Sequence, residues 1–317
     1  MPMVGRAAAV DELRRAWTQV EREGRGRPAV LTGAPGTGKS TLVAALLQAT
    51  RPGKILAGSA RLHSPAPYDW LAAVLATRET DRLPVPADAL AWLAQHPDVP
   101  RERYTPEALL RLAVKAVRAL VGRKPAVLVV EDLHALDPAS LNLVAELATA
   151  DLPALLLVTS RPPEASVSPE LTARTLARLA GAPGAVRQHL NPLDAAQVGQ
   201  VLAQVYADRR PTAALAEAVW RRTGGNPYRL TELLAVEGAN GPPGLAGEPG
   251  DQVKDLTARE REVLGCLAEG MSNKQVAQAL GISVRTVTVH VSNLLRKTGA
   301  ASRTEVALRA VRATAAS

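Results

Sequence analysis

Short apolar runs alternate with amphipathic stretches along the first 190 residues of the chain. Apolar residues recur every three to four positions in segments such as 109–121, which predicts helices between the runs. Apolar strands bounded by helices indicate a parallel sheet that is covered on both faces, and therefore an α/β fold. The runs predict five strands, at 28–32, 55–58, 126–130, 154–159 and 185–190.

From residue 194 to about 236 the pattern is helical only, and a stretch rich in glycine and proline follows. Residues 237–250, EGANGPPGLAGEPG, contain five glycines and three prolines without an apolar period. This composition predicts a flexible linker, although a long surface loop is an alternative. No internal repeat of solenoid length is visible, so a helical-repeat sensor is not expected. The predicted domains are an α/β core (1–193), a small helical lid (194–236), the linker (237–250) and a C-terminal domain (251–317).

The C-terminal domain carries helix start and stop signals at short intervals. Glycines that can end helices stand at Gly270 and Gly281. Capping boxes are predicted for Thr257 with Glu260, Ser272 with Gln275, and Ser302 with Glu305. The signals predict helices at 258–269, 273–280, 284–297 and 303–312. The tight turn at 281–283 makes the second and third helices a helix-turn-helix.

The third of these helices separates an apolar face from a polar one. The predicted core stripe consists of Val284, Val287, Val291 and Leu294. The opposite side carries Arg285, Thr288, Val289, Ser292 and Arg296. Long basic side chains suit phosphates, short polar ones suit base edges in a major groove, and an exposed valine suits a thymine methyl group. Periodicity alone also fits a four-helix module that binds a protein.

Charge and cysteine content narrow the classes of function. The chain has 317 residues and a net charge of +8. Residues 251–317 hold ten basic against six acidic side chains, so the last fifth carries half of the excess and favours a polyanionic partner. A genome biased toward arginine is the alternative. The single Cys266 excludes an internal disulfide and indicates a reducing compartment, the cytoplasm. No apolar run reaches the length of a membrane span, and no membrane partner is expected.

Residues 33–41, GAPGTGKST, fit the phosphate-loop pattern G-x-x-x-x-G-K-[ST] at every fixed position. The loop follows a predicted strand and precedes a predicted helix. Glycines let backbone N–H groups face phosphate oxygens, Lys39 suits the β and γ phosphates, and the Ser40 hydroxyl suits Mg²⁺. A chance glycine-rich turn is the alternative. The expected ligands are ATP or ADP with Mg²⁺, held by Gly33, Gly36, Thr37, Gly38, Lys39, Ser40 and Thr41.

Two further strands end in polar residues, at the sheet edge where ligands of α/β folds bind. In VLVVEDLHALD, Glu131 is predicted to bind the metal and Asp132 to orient the attacking water. Solvated carboxylates at a strand end are the alternative. In LLLVTSR, Thr159, Ser160 or Arg161 would face the γ-phosphate, and Arg161 could report its presence. An ordinary arginine at a strand end is an equal alternative.

Residues 3–236 resemble STAND-type P-loop ATPases, in particular the ATPase module of large LuxR-family regulators related to MalT. The resemblance rests on Val4-Gly5-Arg6, GAPGTGKST, Ala66-Pro67-Tyr68, VVEDLHALD, LLLVTSR, LNPL from Leu190, and TGGNPYRLTELL from Thr223. It implies slow ATP turnover that acts as a switch, an Arg161 that senses the nucleotide state, a Pro227 that touches the adenine side, and a structural His134. Glu131 replaces the usual aspartate, and Ala135 replaces a common tryptophan.

Residues 254–312 closely resemble the LuxR-type DNA-binding domain, through LTAREREVL, GMSNKQVAQAL and ISVRTVTVHVSNLLRKTG. The resemblance implies double-stranded promoter DNA as partner and a homo-oligomer, at least a dimer on DNA. RNA polymerase or a signalling protein are further candidate partners. Many relatives carry lysine where Thr288 stands, so base preference does not transfer. The implied recognition-helix residues are Thr286, Thr288, Val289 and Ser292. The residues implied to contact phosphates or to position helices are Asn273, Lys274, His290 and Lys297.

The sequence thus predicts an α/β P-loop NTPase with a small helical lid, followed by an all-α LuxR-type helix-turn-helix domain. The predicted function is an ATP-binding transcriptional regulator whose nucleotide state is the switch. One alternative is a P-loop ATPase whose helical tail docks a protein partner. Another is a degenerate ATPase in which the nucleotide is bound only structurally.

Overall fold

The structure is a computed structural model that describes residues 3–59, 66–96, 104–206, 211–237, 256–298 and 306. The chain folds into two compact units, Met1–Pro192 and Leu193–Ser317. Within the described ranges, no helix combines the length and the hydrophobicity that crossing a bilayer requires.

The first unit is built on a five-stranded parallel sheet with strand order β2-β3-β4-β1-β5. Its strands are β1 (Arg27–Thr32), β2 (Ile55–Ser59), β3 (Ala126–Glu131), β4 (Ala154–Ser160) and β5 (Val186–His189). Each bound lies within one residue of the bound predicted from the sequence, so the five strands and the α/β class are confirmed. Because β1 lies between β4 and β5, its carboxyl end is flanked by the carboxyl ends of two other strands.

Helices cover both faces of this sheet. They are α1 (Ala7–Glu23), α2 (Lys39–Thr50), α3 (Asp69–Leu75), α4 (Ala87–Leu93), α5 (Pro106–Val121), α6 (Pro138–Leu147) and α7 (Pro169–Gly181). Two of them begin with a proline after a capping side chain. Thr105 accepts a hydrogen bond from the Ala108 N–H, and Asp137 accepts one from the Ser140 N–H. Both caps satisfy backbone donors that a helix start leaves open.

The core has two halves because successive strand residues point to opposite faces of the sheet. Along β3, Val127 and Val129 pack with α1 and α2, whereas Leu128 and Val130 pack with α3, α5 and α6. Both faces of the strand are buried, which explains why its sequence is continuously apolar. The strand ends at Glu131, which is its only half-buried residue.

The second unit begins with three helices, α8 (Ala195–Val205), α9 (Ala213–Thr223) and α10 (Pro227–Glu237). A capping box of Asp194 and Gln197 starts α8. The turn before α10 is tied to the start of the unit, because the Leu193 N–H donates to the Gly225 carbonyl at 2.7 Å. The Trp220 indole N–H donates to the Leu193 carbonyl at 3.0 Å. The helical pattern predicted for this stretch is therefore present.

Three described helices follow, α11 (Ala258–Ala268), α12 (Asn273–Leu280) and α13 (Val284–Thr298). The capping boxes of Thr257 and Ser272 are confirmed, and Gly281 ends α12 in the left-handed conformation. The predicted box of Ser302 with Glu305 and nearly all of the fourth helix, 303–312, lie outside the described residues. A small apolar core joins α11, α12 and α13 through Val263, Leu267, Val276, Val287 and Leu294.

The prediction of the core stripe is wrong for one of its four residues, Val284. Val287 and Leu294 are fully buried, and Val291 is nearly so, but Val284 is 48% exposed. Periodicity gives the direction in which a side chain points around a helix, yet burial also requires a neighbour at the same height along the axis. Val284 is the first residue of α13, and the described residues do not bury it. Cys266 is half-buried beside the same core.

Candidate nucleotide site and nucleic-acid interface

The loop between β1 and α2 forms a tight cradle at the carboxyl edge of the sheet. Gly33 has a φ of +152°, and Gly36 and Gly38 also have positive φ values. A Cβ added to Gly33 would lie 2.6 Å from the Leu190 carbonyl oxygen and 2.9 Å from the Thr37 Oγ1. Since both the conformation and the space exclude a side chain, the first glycine of the pattern is required by the fold.

Lys39, the first residue of α2, is buried inside this loop. Its Nζ donates to the carbonyl oxygens of Gly33 at 2.8 Å and of Ala34 at 2.9 Å. Burial lowers the pKa of Lys39, Asp132 acts in the opposite direction, and Arg161 adds to the lowering. The ammonium group is therefore held by two neutral backbone acceptors of its own loop. Ser40 and Thr41 follow in the first turn of α2, and both are exposed.

Two side chains brace the loop, Thr37 from within the motif and Arg6 from outside it. The Thr37 Oγ1 donates to the Ala34 carbonyl at 2.8 Å. The Arg6 guanidinium donates to the Thr37 carbonyl at 3.3 Å and to the Asn191 carbonyl. Arg6 thus connects the start of α1, the phosphate loop and the segment after β5. Sequence reasoning assigned Arg6 no role beyond a resemblance, because its partner Asn191 is 185 residues away.

The two carboxylates at the end of β3 lie in different surroundings. Burial, and then the charge of Asp132, raise the pKa of Glu131, while a hydrogen bond with the Ser40 side chain lowers it. Ser40 and Glu131 line the same cavity of about 410 Å³. The hydroxyl and the carboxylate that were both predicted to bind Mg²⁺ are therefore neighbours.

These groups fit a magnesium ion in the mode that nucleotide sites use. Among the described residues, no cluster of three or more His, Cys, Asp or Glu side chains is arranged around a metal position. Mg²⁺ commonly takes only one or two protein ligands and completes its shell with phosphate and water. A cation beside Glu131 would also relieve the repulsion by Asp132 that raises the Glu131 pKa.

Asp132 leaves the line of the strand. Its φ is +51°, in the left-handed region that few residues other than glycine, asparagine and aspartate adopt. Its N–H donates to the Oγ1 of the buried Thr159 at 3.0 Å, which ties the end of β3 to the end of β4. Its side chain is half-exposed. Asp132 can therefore face a ligand at the sheet edge while its backbone is fixed.

Arg161 and His134 complete this edge. The Arg161 N–H donates to the His134 Nδ1 at 3.2 Å, while the Arg161 residue is exposed. Burial lowers the pKa of His134, and the cations Arg161 and Lys39 lower it further against the opposing effect of Asp132. The structure thus brings Lys39, Asp132 and Arg161 within electrostatic range of one another.

Asp137 is a buried residue whose role sequence reasoning missed. Its carboxylate caps α6 and also accepts the N–H groups of Tyr68 at 3.1 Å and Asp69 at 3.2 Å. Burial and the Asp137 charge raise the pKa of Tyr68 to about 12. Asp followed by proline is a recognisable helix start, but nothing local in the sequence indicates its second partner, the segment before α3. Asp137 therefore anchors the loop that follows the Glu131–Asp132 pair.

Pro227 lies in the second unit, as the first residue of α10. It is half-buried, and the preceding Asn226 side chain accepts the Tyr228 N–H at 3.0 Å. The turn that contains Pro227 is thus well defined. Its predicted contact with adenine stays a prediction.

The polar side of α13 carries most of the residues predicted to contact DNA. The exposed residues there are Thr286, Thr288, Val289 and Ser292, and Lys274 is exposed on α12. The Asn273 amide donates to the Thr288 Oγ1 at 3.4 Å, so Asn273 joins α12 to α13. Val289 is 54% exposed although it is apolar. The side chains of Arg285 and Lys297 lie outside the described ones.

His290 lies elsewhere on α13, and Ser283 immediately precedes the helix. The half-buried His290 has a buried Nδ1 without a hydrogen-bond partner among the described residues. Ser283 caps α13, because its Oγ accepts the Thr286 N–H at 3.0 Å. The capping bond holds Thr286 in the first turn, next to the residues that face outward.

Two protein-family models match parts of the chain. Residues 254–310 match the family described as bacterial regulatory proteins, luxR family, and residues 2–158 match the AAA ATPase domain. The first match covers α11, α12 and α13, and the second covers the phosphate loop, Glu131 and Asp132.

Curated relatives match over shorter segments. The chain is 39% identical over 92 residues to the uncharacterized transcriptional regulatory protein YhcZ of Bacillus subtilis, across 29% of this chain and 43% of that protein. It is 51% identical over 59 residues to the nitrate/nitrite response regulator protein NarP of Escherichia coli, across 19% of this chain and 27% of that protein. The chain thus spans less than half the length of these relatives.

Solved structures are similar in fold at low sequence identity. A Drosophila ORC structure, bound to DNA, matches with a TM-score of 0.50 and 14% identity over 99% of this chain and 80% of that chain. A STAND protein with a tetratricopeptide repeat sensor from Pyrococcus horikoshii has a TM-score of 0.47 and 15% identity, over 96% and 40% of the two chains.

Proposed function

We propose that this chain, which carries a nucleotide-binding AAA ATPase domain and a luxR-family regulatory domain, is a transcriptional regulator controlled by its nucleotide state. It binds promoter DNA through α12 and α13. The observation that carries this proposal is the exposed face of α13 inside the luxR-family match. The protein acts in the cytoplasm as a homo-oligomer, at least a dimer on DNA, with RNA polymerase or a signalling protein as a further partner.

The exposed face of α13 has the properties that major-groove recognition requires. Thr288 and Ser292 are short and polar, and Val289 offers an apolar contact that suits a thymine methyl group. Val289 is 54% exposed. Contact with a base edge would remove this apolar surface from water, which is favourable for binding. Lys274, Arg285 and Lys297 are the basic residues proposed to contact phosphates.

The phosphate loop supports ATP or ADP as the ligand. Lys39 would leave the carbonyls of Gly33 and Ala34 and turn its ammonium to the β and γ phosphates. Ser40 and Glu131 would hold Mg²⁺, whose charge would offset that of the phosphates when it is bound. Asp132 is the proposed residue that orients the attacking water. Arg161 is the residue proposed to sense the γ-phosphate, and Pro227 the one proposed to touch adenine.

The proposal is tested by selecting duplexes from a random library with the full chain and then measuring affinity by fluorescence anisotropy. Val289→Ala is expected to weaken binding to the selected duplex about fivefold, which corresponds to about 1 kcal/mol. Val236→Ala is the matched control, because Val236 is also an exposed valine, on α10. If selection enriches no sequence under any nucleotide condition, the regulator proposal fails.

A second candidate is a P-loop ATPase whose helical tail docks a protein. The observation that favours it is the pair of exposed valines on α13, Val284 and Val289, since apolar side chains also suit protein interfaces. Salt dependence separates the two functions. Affinity for duplex DNA that falls steeply between 50 and 200 mM salt, by about a thousandfold for six phosphate contacts, supports the regulator. ATP turnover without DNA binding supports the second candidate.

A further inference from the structure

His134 is the buried residue that links the loop after β3 to the loop after β4. It is only 5% exposed and lies in a short 3-10 helix, Leu133–Ala135. Its Nδ1 accepts the N–H of Arg161 at 3.2 Å, across 27 residues of sequence. The ring therefore holds the backbone from which the proposed sensor side chain extends.

The connection between the two loops is reciprocal. His134, in the loop after β3, accepts a backbone N–H from the loop after β4, and Thr159, near the end of β4, accepts the Asp132 N–H at 3.0 Å. The His134 carbonyl also accepts the Val167 N–H at 3.2 Å, further along the same loop as Arg161. Asp132 and Arg161 are therefore fixed relative to each other by contacts that involve no ligand.

The acceptor role defines the chemical state of the ring. An Nδ1 that accepts a backbone N–H carries no proton, so the imidazole is neutral with its hydrogen on Nε2. The Asp132 Oδ1 lies 3.9 Å from the same Nδ1, too far for a hydrogen bond. His134 thus stands between the acid and the arginine without pairing with the acid.

We propose that His134 is a positioning residue that sets Arg161 relative to Asp132, so that both residues meet the γ-phosphate in one fixed geometry. This inference rests on the proposed nucleotide site. Its consequence is specific to the third phosphate. Loss of the Nδ1 acceptor weakens the distinction between ATP and ADP, while the loop of Gly33 and Lys39 still binds both nucleotides.

The variants separate positioning from packing. His134→Leu replaces the ring with an apolar side chain of similar bulk and removes the acceptor. His134→Asn places an amide oxygen near the position of Nδ1 and keeps the acceptor. His189→Leu is the control for the loss of a histidine at the sheet edge, since His189 is exposed at the end of β5 and contacts Thr32.

The first measurement is isothermal titration of the full chain with Mg²⁺ and either ADP or a non-hydrolysable ATP analogue. His134→Leu is expected to weaken binding of the analogue about tenfold, because the Arg161 side chain loses its charge-assisted hydrogen bond to the γ-phosphate. The affinity for ADP is expected to stay within about twofold. His134→Asn is expected to restore most of the difference, and His189→Leu to behave as wild type. Equal losses for both ligands, or no loss for either, overturn the proposal.

The second measurement is hydrogen exchange at the Arg161 amide without nucleotide. Exchange faster in His134→Leu than in wild type, and slow again in His134→Asn, supports the positioning bond. The same rate in all three proteins overturns it. Fast, unprotected exchange of the Arg161 amide in wild type also overturns it, and that result needs no variant to fold. A wild type that binds neither nucleotide contradicts the proposed nucleotide site, and the exchange rates still judge His134.

Discussion

The edge of the sheet and the face of α13 are built in opposite ways. At the sheet edge, Arg6, Lys39, Glu131 and Arg161 come from four distant parts of the chain, and each is held there by buried or partly buried hydrogen bonds to other residues of the site. On α13, Thr288, Val289 and Ser292 are close in sequence and exposed. A site built from long-range contacts cannot be altered without altering the fold around it. The exposed face can change while its core stays intact.

The largest expected effect is at the sheet edge, for Gly33→Ala. The new Cβ would lie 2.6 Å from the Leu190 carbonyl, which is backbone and cannot turn away. We expect a loss of about 3 kcal/mol in the free energy of unfolding, together with loss of ATP binding. Urea unfolding and nucleotide titration measure both. The control is Gly181→Ala, whose added Cβ would meet no neighbouring described atom within 4 Å, and equal stability of the two variants would contradict the cradle geometry.

A slightly smaller loss is expected for Asp137→Ala. The change leaves three N–H groups without their acceptor, those of Tyr68, Asp69 and Ser140, at a cost of about 2–3 kcal/mol. Asp194→Ala is the matched control, since Asp194 is an exposed cap that accepts the Gln197 N–H and is expected to cost about 1 kcal/mol. Thermal unfolding compares them, and a smaller loss for Asp137→Ala would show that its long-range bonds contribute nothing.

A smaller effect, which depends on pH, is expected from His134. Burial lowers its pKa in the folded state below the ordinary value of 6.5, so the unfolded chain binds more protons between those two values. The contribution of His134 to the free energy of unfolding is therefore fully present above pH 6.5, and it falls as the pH drops toward the folded-state pKa. Urea unfolding from pH 5 to 8 measures it. His134→Asn should flatten that slope, and an unchanged slope would assign the dependence to other groups.

The smallest effect on stability is expected on the face of α13. Val289→Ser changes an exposed side chain, so the free energy of unfolding should stay within about 0.5 kcal/mol while DNA affinity falls. Val287→Ser, two residues earlier, places a hydroxyl in the fully buried core and should cost about 2 kcal/mol or more. If both variants are equally stable, the separation between core and exposed face is wrong.

The sequence predicted what local patterns determine. The strands of the sheet, the glycines of the phosphate loop and the capping boxes of Thr257 and Ser272 all follow from neighbouring residues. Contacts across the sheet do not, because they depend on the order β2-β3-β4-β1-β5, which periodicity does not contain. For this reason the braces by Arg6 and Asp137 were missed. The predicted burial of Val284 was wrong for a related reason, because its exposure depends on what packs beside the first turn of α13. The roles assigned to site residues stay predictions.

The central claim is that the nucleotide at the sheet edge controls DNA binding by α13. Its most direct test is the affinity of the full chain for a selected duplex, measured with ADP and with a non-hydrolysable ATP analogue. Wild type should differ between the two nucleotides by at least about fivefold, and Lys39→Ala should not differ. Identical affinities for wild type with both nucleotides, at concentrations that saturate the site, would contradict the switch.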